Sequence, residues 1–166
     1  MAIEEVQRIK GIFSSLNLHP TYREHAAVVT SEEAAKTRGD QLQQGIKALL
    51  FTNDADDWVI VNLPADKKVD KKIVADQLQW PKKKIRLATP EEVLEKTGCE
   101  IGAVPPFGHK QDLKLIVDLQ IYANRESAFN IGLRTYSVKI PTSEMKVVFN
   151  QFKALEGTFS LEKTTL

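Results

Sequence analysis

Apolar positions recur along this chain with two periods, one helical and one alternating, and the two are interleaved. Ile3, Val6, Ile9, Ile12, Phe13 and Leu16 fall at helical spacing before His19-Pro20, which predicts an amphipathic helix over about 2–18 that packs on a sheet. A short extended segment follows around Tyr22 to His25. Thr30 and Glu33 make a capping box ahead of Ala34-Ala35-Lys36, and Gly39 supplies the C-terminal cap of a second, short helix. Two apolar runs, 46–51 and 58–63, flank the turn-rich Asn53-Asp54-Ala55-Asp56-Asp57 and predict a hairpin. Asp70 caps a helix through about Gln79, stopped by Pro81, and Ile85-Arg86-Leu87-Ala88 is short enough for a buried strand.

The second half continues the alternation. Thr89-Pro90-Glu91-Glu92 places a cap, a first-turn proline and a capping-box glutamate in order, with Gly98 just past the helix end. Gly102-Ala103-Val104-Pro105-Pro106-Phe107-Gly108 lacks two backbone donors at its prolines and predicts a shaped loop. Strands are expected at 113–118 and 134–140, then a last helix from Pro141-Thr142-Ser143 with Met145, Val148, Phe149 and Phe152 on its apolar side, and a polar tail after Gly157. Strands and helices interleaved without repeats or a linker predict a single α/β domain over 1–166, α+β-like because hairpins mix with crossovers, with helices flanking a mixed sheet.

Composition narrows the class. The 166 residues are 42% hydrophobic and 27% charged, as in an ordinary globular domain, with Lys+Arg 23 against Asp+Glu 22. A net charge of +1 argues against coating nucleic acid indiscriminately, DNA included, since that affinity comes from neutralising many phosphates. Cys99 is the single cysteine, which excludes an intramolecular disulfide framework and fits the reducing cytoplasm. With only His19, His25 and His109 beside it, no structural zinc spacing exists, and no metal or cofactor is expected. The Walker A, Gly-x-Gly-x-x-Gly and His-Glu-x-x-His motifs are all missing, and no catalytic triad can be assembled. No run approaches the ~18 apolar residues of a membrane span, and the N-terminus does not read as a secretory signal.

Three features stand out chemically. Lys47 lies in an apolar strand, on the face of Leu49 and Phe51, while Ile46, Ala48 and Leu50 take the other face. Because burying an unpaired ammonium is expensive, Lys47 either snorkels to an edge or reaches into a polar pocket. The loop ending in Phe107-Gly108-His109-Lys110 is either a ligand rim or a rigid connection with a solvent-exposed His109. Eight Lys and Arg stand against Asp70 and Asp76 within residues 67–86, a local charge of +6 that is either a solvated face or a phosphate contact. Cys99, at a helix end, reads as packing.

Several segments together resemble the prolyl-tRNA editing domain, also called the YbaK or prolyl-tRNA-synthetase-associated domain. They are Ser31-Glu32-Glu33-Ala34-Ala35, Lys47-Ala48-Leu49-Leu50-Phe51, Ala65-Asp66-Lys67-Lys68-Val69-Asp70, Arg86-Leu87-Ala88-Thr89-Pro90-Glu91-Glu92, Thr97 through His109, and Phe129-Asn130-Ile131-Gly132. Their order and spacing cover roughly His25 to Ile140.

The resemblance implies that family's curved mixed sheet flanked by helices. It also implies hydrolysis of the ester joining a wrong, small amino acid to the acceptor end of a tRNA, usually tRNA for proline. Lys47 is then important for activity, and the Gly102-to-Pro106 loop shapes the site around the aminoacyl end. Ala103, Val104, Pro105, Pro106, Phe107, Gly108, His109, Asn130 and Gly132 become substrate-binding positions, and Lys67, Lys68, Lys82, Lys83 and Lys84 candidate contacts to the tRNA backbone. An activated ester needs positioned water and stabilised charge more than a protein nucleophile, so a missing triad is no objection. Ile131 stands where a smaller residue is expected, and Ala48 follows the lysine where relatives carry others. Alanine, serine, threonine and cysteine are therefore not ranked, one methylene being worth only ~1–3 kcal/mol in a closed pocket. The expected partners are mischarged tRNA and prolyl-tRNA synthetase. The leading expectation is a trans-editing factor; the alternatives are a cis-editing module of the synthetase, a silent tRNA- or synthetase-binding module, and a hydrolase of small esters outside translation.

Overall fold

A computed structural model describes residues 2–27 and 30–163 of the chain. The central layer is a mixed five-stranded sheet built from the predicted hairpin. Strands β2 (Ile46–Thr52) and β3 (Trp58–Pro64) pair antiparallel; β6 (Lys114–Asp118) joins β3 in parallel, as a crossover connection allows, and β9 (Leu155–Gly157) joins β6 in parallel. The two-residue β5 (Arg86–Leu87) closes the other edge, giving the order β5-β2-β3-β6-β9. A second antiparallel ladder holds β1 (Thr21–Glu24), β8 (Tyr136–Pro141) and β7 (Glu126–Leu133) in the order β1-β8-β7, and β4 (Lys67–Val69) pairs with β10 (Ser160–Glu162).

Both faces of β2 are apolar because each meets its own core. Ile46 and Leu50 pack with Val6, Ile9 and Phe13 of α1 (Ala2–Ser15), with Phe129 and Ile131 of β7, and with Met145, Val148 and Phe149 of α5 (Thr142–Gln151). Phe51 faces the opposite side with Val59, Val61, Leu63 and Ile116, under Val74 and Ala75 of α3 (Lys71–Leu78), Trp80 and Phe159. The sheet is thus sandwiched, and period-2 alternation is replaced by near-continuous apolar runs.

The helix ends follow the expected local chemistry at α4 and depart from it at α2 and α1. In α2 (Ser31–Arg38), Thr30 accepts from the Glu33 N–H and Gly39 turns left-handed; the Glu33 carboxylate accepts from the Thr30 hydroxyl, so the cap is a side-chain pair and not a reciprocal box. In α4 (Pro90–Thr97) the full box forms, with Thr89 and Glu92 each satisfying the other's backbone N–H. Helix α1 stops at Ser15, short of the expected Leu18, because Asn17 turns left-handed and the Leu18 N–H reaches back to Phe13.

Three further expectations are corrected. The segment 85–88 is an exposed edge and not a buried strand: Leu87 is 51% exposed and only Ala88 is buried. The chain after Gly157 is not merely a polar tail, since Phe159 is 1% exposed in the second core and β10 pairs with β4; residues from 164 onward lie outside the described residues. Residues 126–133 form a strand that the pattern hides, because Ser127 to Gly132 are buried on both faces and Gly132 sits in a register shift. No helix among the described residues is long and apolar enough to cross a membrane.

Candidate functional site

Strand β2 and the turn at 101–104 face each other across a cavity of about 140 Å³. Thr30, the N-cap of α2, lines it together with Ala34 and Arg38, which a spacing of four puts on one face of that helix. Gly45, Ile46, Lys47, Ala48 and Leu49 form its floor; Ile101, Gly102 and Val104 form the opposing wall, and Phe129 and Asn130 close it from β7. The parallel bridge between Gly45 and Ala128 brings β7 to this place.

Lys47 lines this cavity, as the second of its two alternatives requires, half-buried and with no side-chain hydrogen bond or ion pair among the described residues. Burial, helped by the nearby Lys163 ammonium, pushes its pKa down to about 8 against the opposing pull of Glu32 and Asp66. An ammonium so placed is ready for an incoming acceptor or anion, because no protein group already saturates it.

The facing turn is held by its carbonyls. Ile101 O accepts from Arg134 Nε at 2.8 Å, Gly102 O from Asn130 Nδ2 at 2.7 Å, and Ala103 O from Gly132 N at 2.8 Å. Gly102 has φ +89°, a conformation an L side chain rarely adopts. The N–H groups of Gly102 and Val104 donate no hydrogen bond among the described residues. The Oδ1 of Asn130 is buried without a hydrogen-bond partner among the described residues.

Of the expected site residues, the fold thus brings together Lys47, Gly102, Val104 and Asn130 around one cavity. Ala103 and Gly132 stand directly behind it as a backbone pair. The rest of the loop turns away. Phe107 is 0% exposed and packs edge-on against Phe13 and Phe129, and Pro106 O accepts from the buried Asn62 amide at 3.0 Å. Gly108 lies against Ile9 and Ile12, where a Cβ would come within 2.6 Å of the Ile12 side chain. His109 is not the solvent-exposed residue of the bland alternative: it is buried, bonded at 2.7 Å to Pro105 O, and burial pushes its pKa down to about 4.

Cys99 is buried, with its thiol pushed up to about 12 chiefly by burial, so it carries no nucleophile. Among the described residues no group of three or more His, Cys, Asp or Glu could hold a metal ion. The lysine cluster divides. Lys67 is paired with Glu162 and Arg86 with Asp54 and Glu92, whereas Lys68, Lys71, Lys72, Lys82, Lys83 and Lys84 are exposed and make no ion pair among the described residues. Arg38 is the charged cavity residue that sequence reasoning missed, because a basic residue at the end of a capped helix is ordinary.

The family model of the aminoacyl-tRNA editing domain matches residues 25–147. The chain belongs to the aminoacyl-tRNA editing domain family. A multifunctional Ser/Thr-tRNA deacylase, ProXp-y, of Escherichia coli K12 is 36% identical over 124 residues, covering 72% of this chain and 73% of the deacylase. A proline–tRNA ligase of Desulfitobacterium hafniense is 36% identical over 104 residues, covering 61% of this chain and 18% of the ligase. A solved structure described as a candidate trans-editing enzyme for prolyl tRNA synthetase superposes with a TM-score of 0.80 at 24% identity, covering 95% and 97% of the two chains; at that identity it supports the fold. The expected fold and family, and with the family the activity class of an aminoacyl-tRNA hydrolase, are met.

Proposed function

We propose that this chain is one editing domain over 1–166 that removes a mischarged small amino acid, alanine, cysteine, serine or threonine, from tRNA for proline, acting in trans. The observation that carries the reading is the cavity itself, shared by Lys47, which makes no side-chain hydrogen bond or ion pair among the described residues, and by a turn whose Gly102 and Val104 N–H groups donate none there. In this reading the acceptor end enters between them. Lys47 holds the terminal phosphate or neighbouring polar groups, and the backbone around Gly102 orients the ester carbonyl and stabilises its developing negative charge. Water attacks that carbonyl, the bond to the ribose oxygen breaks, and the products are the free amino acid and a tRNA with its hydroxyl restored. The ribose hydroxyl next to the ester helps to activate the water.

The small volume and the walls of Ala34, Ala48 and Val104 favour a small aminoacyl group. Pro105, Pro106, Phe107, Gly108 and His109 serve the substrate by fixing the loop from behind. The unpaired Lys68, Lys82, Lys83 and Lys84, with Lys67 if Glu162 releases it, take the tRNA backbone, and the site is cytoplasmic. The match to a segment of a proline–tRNA ligase favours a second reading, in which the same chemistry is delivered in cis or on the synthetase's surface. Single-turnover deacylation of tRNA for proline charged separately with alanine, cysteine, serine, threonine and proline tests the proposal. Rapid loss of one wrong amino acid with proline spared supports it. Uncatalysed rates for all five, repeated with added prolyl-tRNA synthetase, count against it.

A further inference from the structure

Arg38 is the most deeply buried charged side chain lining the cavity, and its hydrogen-bonding capacity is unused. Its side chain is only 4% exposed, yet none of its five N–H donors makes a hydrogen bond among the described residues, and its Nε is fully buried without a partner. Among the described residues its one charge partner is Asp40, with Nε 3.4 Å from Oδ2. That carboxylate already accepts from Arg23 at 2.9 Å and Lys139 at 3.2 Å, so it anchors the Arg38 guanidinium without saturating it.

The cavity opens beside this group. A Cβ on Gly45 would lie 3.1 Å from the Ala65 Cβ and 3.6 Å from Arg38 Nη2, so glycine there keeps the space next to the guanidinium clear. Arg38 and Lys47 are the charged residues of the lining, and no carboxylate joins them. Asp40 beside Arg38 and Glu32 and Asp66 near Lys47 all lie outside the lining, so the cavity surface itself presents two cations and favours an anionic ligand. On the proposed function, the aminoacyl group lies against Ala34, Ala48 and Val104 and carries no negative charge to meet these cations. The phosphodiester before the ester-bearing nucleotide brings the negative charge, with two oxygens that match the guanidinium fork.

We infer that Arg38 is a substrate-binding residue that grips the phosphodiester joining the last two nucleotides of the tRNA, leaving Lys47 to the polar groups nearer the ester. This inference rests on the proposed function for the substrate but not for the ligand chemistry, a phosphate monoester or diester. Asp40 keeps Arg23 and Lys139 when Arg38 is replaced, so the network survives the substitution.

The test compares wild type, Arg38→Gln and Arg38→Lys on mischarged tRNA carrying either the native terminal phosphodiester or an uncharged methylphosphonate there. A calorimetric arm measures binding of adenosine 5′-monophosphate against adenosine. Arg38→Gln is expected to lose ~10–100-fold in kcat/KM on the native substrate, as for a lost charge-assisted hydrogen bond, and to lose nothing further on the methylphosphonate. Arg38→Lys, which keeps the charge without the fork, falls between. Wild type should bind the monophosphate more tightly than adenosine, and Arg38→Gln should erase the difference. Equal losses by Arg38→Gln on both substrates, or wild type binding both ligands alike, overturn the inference. If wild type deacylates nothing yet its phosphate preference depends on Arg38, the proposed function fails and Arg38 stands.

Discussion

Replacing Lys47 with methionine should abolish deacylation and make the protein more stable. The fold holds Lys47 half-buried and without an ion pair among the described residues, and its pKa is lowered from 10.5 to about 8, chiefly through burial. The unfolded chain therefore binds the proton more tightly than the folded one between about pH 8 and 10.5. Stability rises with pH across that window, and below it the whole cost of the buried ammonium is present. At 1.36 kcal/mol per pH unit the full lowering corresponds to roughly 3.4 kcal/mol, which water at the half-buried side chain screens to about 1–2 kcal/mol. Methionine keeps the unbranched stem along β2 and removes the charge. Urea denaturation at pH 7 should thus show Lys47→Met more stable by about 1–2 kcal/mol, or about 2–8 °C in Tm. The advantage should shrink toward zero by pH 10.5, where wild-type lysine is already neutral in the folded state. A variant less stable than wild type at pH 7, or an advantage equal at both pH values, would refute the reasoning.

Other predictions concern the turn, the loop and the charged face. Asn130→Leu removes the donor that fixes Gly102 O, and single-turnover assays should show a fall of ~10-fold or more in rate with little change in KM; an unchanged rate would remove Asn130 from the positioning of the turn. His109 is neutral when folded, with its pKa near 4, while the unfolded chain takes up a proton below about 6.5. Stability should therefore fall as pH drops from 6.5 to 4, by up to roughly 3 kcal/mol, and His109→Gln should flatten that part of the pH profile relative to wild type. An NMR titration placing His109 near 6.5 would contradict its burial. Reversing Lys82, Lys83 and Lys84 to glutamate should raise KM for tRNA and flatten its salt dependence, and no effect at low salt takes these residues out of the interface.

The parts of the site legible in the sequence were those whose residue type clashed with their surroundings. Lys47 in an apolar strand and a Gly/Pro-rich segment with φ-permissive glycines both signalled constraint, and the fold brings Lys47 and Gly102 to one cavity. Loop composition could not say which way each side chain turns. Phe107 and His109 follow the burial of Gly108 against α1 and face the core, a tertiary outcome with no local signal. Strand β7 escaped because both of its faces are buried and Asn130 and Gly132 interrupt the apolar run, although those two residues are what hold the 102–103 turn. β9 and β10 are three residues each, with Leu155 and Leu161 exposed, so neither leaves a readable period. Arg38 was masked by its ordinary position at a helix end, where a basic residue complements the dipole, and only its burial beside Asp40 marks it out.

The most direct measurement is the single-turnover rate at which wild type and Lys47→Ala release a wrong amino acid, serine or alanine, from tRNA for proline, with prolyl-tRNA as the control. The account predicts rapid release by wild type, release near the uncatalysed rate by Lys47→Ala, and proline retained by both. Lys47→Ala deacylating as fast as wild type would contradict it, because the cavity would then work without the ammonium that defines it.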